Sequence, residues 1–181
     1  MPTPTPRTAL VALGSNLGDR RAHLRRALDA LPALACGPVS ASDAWETAPM
    51  YLEEQPPFLN AVCRFATTLP ASVLLDALLG LETRLGRRRL QRNGPRAIDL
   101  DLLDLGGERV ALDGLTLPHP RLHERPFVLV PLLELCPEWT HPELGADPEA
   151  MLRALGPLDD PPRRHGSLTS ATPSALPGSS R

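Results

Sequence analysis

The stretch "GPRAIDLDLLDLGG" (residues 94–107) decides how this chain is read. Ile98, Leu100, Leu102 and Leu103 describe a strand that should be wholly buried, yet Asp99 and Asp101 stand among them. Residues i and i+2 of a strand share a face, with Cβ atoms about 6.5 Å apart. Two carboxylates at that spacing repel, and burial makes each ionised form more costly. Something positive must balance them. Neighbouring arginines would make the pair structural, whereas divalent cations would make it a metal site of hard oxygen ligands. Two adjacent carboxylates on one face can hold two such ions about 3.5–4 Å apart.

Outward from the strand, the arginines weigh on that choice. Arg87, Arg88, Arg89, Arg92 and Arg96 all precede it, more positive charge than two carboxylates need. A solvated arginine run is one reading. A polyanionic ligand is the other, and Mg²⁺ with an arginine cage implies a nucleoside triphosphate. All 19 basic residues are arginine, so any phosphate must be held by guanidinium forks rather than by lysine. The turn "LGSNLGDR" is no P-loop, since it lacks the GxxxxGK[ST] pattern.

The whole chain sets further bounds. Its 181 residues suffice for one domain with a real core, and 42% hydrophobic with 22% charged residues is a globular balance. A net charge of −2 argues against a broad nucleic-acid footprint. No apolar run suits a bilayer span, and "MPTPTPRT" lacks a signal-peptide pattern, so a cytoplasmic protein is expected. Cys36, Cys63 and Cys136 are odd in number and widely spaced, and read as small hydrophobes in a reducing compartment.

Periodicity supplies the elements. "TALVALGSN" (8–16) reads as a buried strand, and "GDRRAHLRRALDAL" as a helix with Asp19 near its start. A second strand is expected over 36–47, a loop over "APMYLEEQPP", and a third strand in "FLNAVCRFATT". In that third strand Leu59, Ala61 and Cys63 oppose Asn60, Val62 and Arg64. Pro70 opens an amphipathic helix that ends at Gly86, and the two-aspartate strand comes fourth. The order β-α-β-β-α-β predicts an α+β fold of ferredoxin-like type, with a mainly antiparallel sheet and helices packed on it. Residues 1–156 form the expected single domain. Residues 157–181 are expected to be a disordered tail, having almost nothing apolar to bury.

"RNGPRAIDLDLL" closely resembles a motif of the 6-hydroxymethyl-7,8-dihydropterin pyrophosphokinases of folate biosynthesis. "VALGSNLGDR", "ETAP", "FLNAV", "LGRRR" and "LPHPRLHERPFVLVPL" resemble other segments of that family, in the same order from about residue 8 to 156. The resemblance implies transfer of the pyrophosphoryl group of ATP to the pterin hydroxymethyl oxygen, with AMP released. It implies that Asp99 and Asp101 hold two Mg²⁺ ions, and that Arg87 and Arg96 act with them in catalysis. ATP would be bound by Glu82, Arg87, Arg89, Arg96, Ile98, His119 and Arg125. The pterin would be bound by Thr47, Ala48, Met50, Asn60 and the two aromatics Phe58 and Phe127. The partners implied are ATP and a reduced hydroxymethylpterin, with no nucleic acid and no membrane, and a monomer is expected.

Three departures from the family pattern stand out. Asn93 occupies a position where some members have tryptophan, and Pro120 one where some have tyrosine. The arginine loop is one residue shorter, which leaves the role of Arg92 open. A binding protein on the same fold would keep Asn60 and the phenylalanines but could drop an aspartate or arginine. All are present here. A nucleotidyl or γ-phosphoryl transferase would differ in product, since AMP rather than ADP marks pyrophosphoryl transfer.

Overall fold

Alternation and capping account for the elements of the computed structural model, which describes residues 4–50, 54–87 and 94–168. Strand β1 (Arg7–Ser15) leads into helix α1 (Arg20–Ala30), whose N-cap Asp19 accepts the Ala22 amide at 2.9 Å. Two short strands, β2 (Ser40–Ala41) and β3 (Ala44–Thr47), precede the long β4 (Phe58–Thr67). Helix α2 (Ala71–Arg84) starts after Pro70, and Gly86 ends it at φ 93°, a conformation that favours glycine. Strand β5 (Asp99–Leu105) carries the two aspartates, followed by a hairpin of β6 (Val110–Leu112) and β7 (Leu115–Leu117). Helices α3 (Pro126–Leu135) and α4 (Pro148–Leu155) and strand β8 (Arg163–Gly166) complete the described chain.

The sheet runs β5-β1-β4-β3-β8, with β2 also on β4 and every pairing antiparallel. The four expected strands therefore lie in the order fourth, first, third, second, as the split β-α-β unit requires. Opposite faces of β1 and β4 feed two separate cores. Val11, Leu13, Leu59, Ala61 and Cys63 pack with Leu24 of α1 and Leu74 and Leu78 of α2. Leu10 and Val62 pack on the other side with Val128, Leu129 and Leu132 of α3 and Met151 of α4. The result is three layers, helices on both faces of one sheet. Among the described residues no helix is long and apolar enough to cross a membrane.

Three expectations need correction. The two-aspartate strand is not wholly buried: β5 is an edge of the sheet, and its Asp99 and Asp101 side chains are 17% and 38% exposed. Its open backbone is covered from α2, where Glu82 accepts the Leu100 amide at 2.7 Å. The strand expected over 36–47 shrinks to 40–41 and 44–47. At Ser42 the ladder runs through a side chain, because Val62 N–H donates to Ser42 Oγ at 3.0 Å. Lastly, the folded unit extends past residue 156. β8 pairs with β3, and Leu168 is 3% exposed within the α1–α2 core. Long arginine side chains of α1 hold this segment by its carbonyls, contacts that its own composition does not announce. Residues 169–181 of the expected tail lie outside the described residues.

Leu78 is fully buried between α2 and the sheet. Leu78→Ala should therefore cost about 2–5 kcal/mol in urea unfolding, and a loss under about 1 kcal/mol would contradict this packing.

Candidate active site

The site is built on the α3 side of the sheet, where three strands present different chemistry in register. Gly14 of β1 lies between Asn60 of β4 and Asp99 of β5, and Ala12 lies between Val62 and Asp101. Small residues on the middle strand keep this floor open. A Cβ on Gly14 would stand 3.1 Å from Asn60 Oδ1 and 3.8 Å from Asp99 Cβ. Asn60 is 5% exposed and donates through Nδ2 to Thr47 Oγ1 at 2.8 Å, which fixes its amide plane. Phe58 and Phe127 stand as walls. Arg96 lies over the Phe58 ring at 5.3 Å from its centre, and Arg125 over Phe127 at 5.6 Å. Asn60, Phe58, Phe127 and Arg96, with Thr47, Ala48 and Met50, line an open cavity of about 560 Å³, solvent at its mouth included.

A second, larger cleft of about 1120 Å³ opens beside it, lined by Glu82, Arg87, Thr116, His119 and Pro120. Asp99 and Asp101 line both. One pair of carboxylates thus marks the place where an aromatic-walled cavity meets an arginine-bearing cleft.

Electrostatics follow from this placement. Arg87 bridges Glu82 and Asp99, Arg96 reaches Asp99 at 3.0 Å, and Arg125 reaches Asp101 at 3.3 Å. Burial, and then the Asp101 charge, hold the Asp99 carboxyl above the usual range against the pull of Arg96 and Arg87. Burial also raises Glu82, opposed by the Leu100 amide and Arg87. His119 Nδ1 accepts the Arg121 amide at 3.2 Å, so the neutral ring carries its proton on Nε2, 3.4 Å from Arg125 Nη1. Two donors converge there, as an anion requires. Among the described residues, the buried Nε–H groups of Arg96 and Arg125 also have no acceptor.

Most of the residues expected from the sequence come together here. Thr47, Ala48, Met50, Phe58, Asn60 and Phe127 line or wall the first cavity, and Glu82, Arg87 and His119 line the second. Arg96 lines the first cavity rather than the second, and Arg125 reaches the junction through Asp101 and His119. Ile98 does not join them: it is fully buried in the α1–α2 core and lines neither space. Arg89, Arg92 and Asn93 lie outside the described residues. Sequence reasoning missed Gly14, although a glycine inside an apolar strand signals close approach. It also missed Asn16, which accepts the Arg96 amide at 2.8 Å and donates to Gln55 Oε1 at 3.0 Å and Pro56 O at 3.1 Å.

The fold and the two joined clefts define a three-layer α+β protein in which an aromatic-walled cavity meets an arginine-bearing cleft. Residues 10–137 match the model of the family described as 7,8-dihydro-6-hydroxymethylpterin-pyrophosphokinase (HPPK), and the chain belongs to that family. It is 43% identical over 129 residues to the 2-amino-4-hydroxy-6-hydroxymethyldihydropteridine pyrophosphokinase of Bacillus subtilis, covering 71% of this chain and 77% of that protein. It is 39% identical over 135 residues to the folic acid synthesis protein fol1 of Pneumocystis carinii, covering 75% of this chain but 18% of that longer protein. The fold is similar to a crystal structure of Plasmodium falciparum HPPK-DHPS, with a TM-score of 0.64 and 12% identity over 83% of this chain and 45% of that one.

Burial, followed by the Arg125 charge, lowers the His119 imidazole from 6.5 to about 4. The unfolded chain therefore takes up this proton first as the pH falls. The stability gained from keeping His119 neutral is full above about pH 6.5 and is lost as the pH falls through about 4. Urea titrations at several pH values should show wild-type protein losing stability across this window relative to His119→Gln. Parallel curves for the two proteins would refute the assignment.

Proposed function

We propose that this protein transfers the pyrophosphoryl group of ATP to 6-hydroxymethyl-7,8-dihydropterin, giving the dihydropterin diphosphate and AMP for folate synthesis. Family membership supports the reaction, and one observation carries its assignment to these residues. Asp99 and Asp101 stand where the aromatic cavity and the arginine-bearing cleft meet. The pterin ring is assigned to the cavity, stacked between Phe58 and Phe127 with its polar edge toward Asn60, Thr47 and Ala48. Met50, 44% exposed, also lines the cavity. ATP is assigned to the second cleft, its phosphates toward Arg87, Arg96, Arg125 and the Nε2–H of His119. Arg89 is assigned to ATP by its place in the family motif.

In the transfer, a bond forms from the hydroxymethyl oxygen to the β-phosphorus. The bond from that phosphorus to the α,β-bridging oxygen breaks, the hydroxyl proton is released, and AMP leaves. Little covalent work falls to the protein, which must align two substrates and balance charge. Asp99 and Asp101 would hold Mg²⁺. Among the described residues no third His, Cys, Asp or Glu closes a cage around them, and an open pair suits an ion that keeps water and phosphate oxygens as ligands. When bound, such ions neutralise the phosphate charge. Glu82 orients Arg87 and caps the edge of β5. A net charge of −2 disfavours a nucleic-acid partner. The unpaired thiols of Cys36, Cys63 and Cys136 suit a reducing cytoplasm.

Incubation with ATP, Mg²⁺ and the reduced pterin should yield AMP and the diphosphate in equal amounts, and ADP as the product would overturn the reading. Asp99→Asn and Asp101→Asn should each lower turnover about a hundredfold or more while the protein stays folded, and chelation of Mg²⁺ should abolish it.

A further inference from the structure

The segment 163–168 lies beyond the part of the chain that matches the family, yet it is tied to the wall of the aromatic cavity. Without it β3 would be a four-residue edge strand held by β4 alone, through Trp45 opposite Asn60, Glu46 opposite Leu59 and Thr47 opposite Phe58. With it, Trp45 also faces Arg164 and Glu46 faces Arg163, so β3 becomes an interior strand. Short edge strands fray, and Thr47, the last residue of β3, is the one that fixes the Asn60 amide at 2.8 Å.

Three kinds of anchor keep the segment in place. Leu168 is 3% exposed in the core. Arg25 Nε donates to Leu168 O at 2.9 Å, and Arg21 donates to His165 O at 3.3 Å and to Ser167 O. Arg164 pairs with the buried Asp43, whose amide donates to Glu134 Oε1 of α3 at 2.9 Å. A further link runs from β3 to the residue before Phe58: Arg20 donates to Glu46 Oε2 and to Pro57 O, each at 2.7 Å.

We propose that residues 163–168 form a clasp that positions the pterin side of the site, by holding Thr47 against Asn60 and Pro57 next to Phe58. The inference rests on assigning the cavity between Phe58 and Phe127 to the pterin. Its effect is one-sided. The cleft assigned to ATP is built from α2, β5, the β6–β7 hairpin and the His119 loop, at the opposite edge of the sheet from β8. Leu168 and Arg25 act as positioning residues, since neither lines a cleft.

The test compares the full chain with a chain ending at residue 160 and with two full-length variants, Arg21→Gln/Arg25→Gln and Leu168→Ala, which carry the test if the shortened chain does not fold. Steady-state kinetics should show KM for the dihydropterin rising about tenfold, with KM for ATP and kcat nearly unchanged. Amide exchange over residues 44–48 should accelerate in the same variants. Unchanged pterin KM, or equal rises in both KM values, would make the clasp a general stabilising element and overturn the proposal. Asn60→Ala serves as the reference and must itself raise the pterin KM. If it does not, the cavity assignment falls, and the inference falls with it.

Discussion

Repulsion between Asp99 and Asp101 is the constraint around which this molecule is arranged. Burial raises the cost of ionising Asp99, and the Asp101 charge beside it on the same face of the strand raises it further. The fold answers with three guanidiniums from three separate places: Arg87 after α2, Arg96 ahead of β5, and Arg125 at the start of α3. Each is itself anchored. Glu82 holds Arg87, Asn16 fixes the backbone at Arg96, and Phe127 lies under Arg125. Loops on both sides of the sheet are therefore pinned to one pair of acids.

A second constraint is space. The central strand β1 must feed two cores and still leave room over its C-terminal half. It does so by changing residue size along one face, from Leu10 in the α3 core to Ala12 and then Gly14 at the cavity floor. The larger groups needed there come from the neighbouring strands, Asn60 on one side and Asp99 on the other.

Much of this is legible in the sequence because it is local. The alternation in "FLNAVCRFATT" puts Asn60 opposite the core face, and the spacing of Asp99 and Asp101 puts both on one face, as observed. Asp19 and Gly86 mark helix ends at the positions their chemistry suggests. The β6–β7 hairpin and α4 went unanticipated, although both carry local signals. Asp113-Gly114 is a hairpin turn pair, and Asp147-Pro148 is a cap with proline in the first turn. Strand β8 was not readable. "RRHG" has no alternation, and what orders it is Leu168 together with arginines more than 140 residues away in the chain. Nor does composition distinguish an edge strand from an interior one. The apolar run around Asp99 looks central, but its outer edge is met by the Glu82 carboxylate at the Leu100 amide and by the His119 amide at the Leu103 carbonyl.

The absence of lysine has a consequence for how the site answers to acid and alkali. Every cation lining it is a guanidinium, which keeps its proton throughout the range in which proteins survive. Raising the pH therefore removes no positive charge from the walls of either cleft. Asp99, Glu82 and His119 change instead by gaining a proton as the pH falls. Among the described residues, the arginines of the site therefore contribute nothing to an alkaline limb of a pH profile.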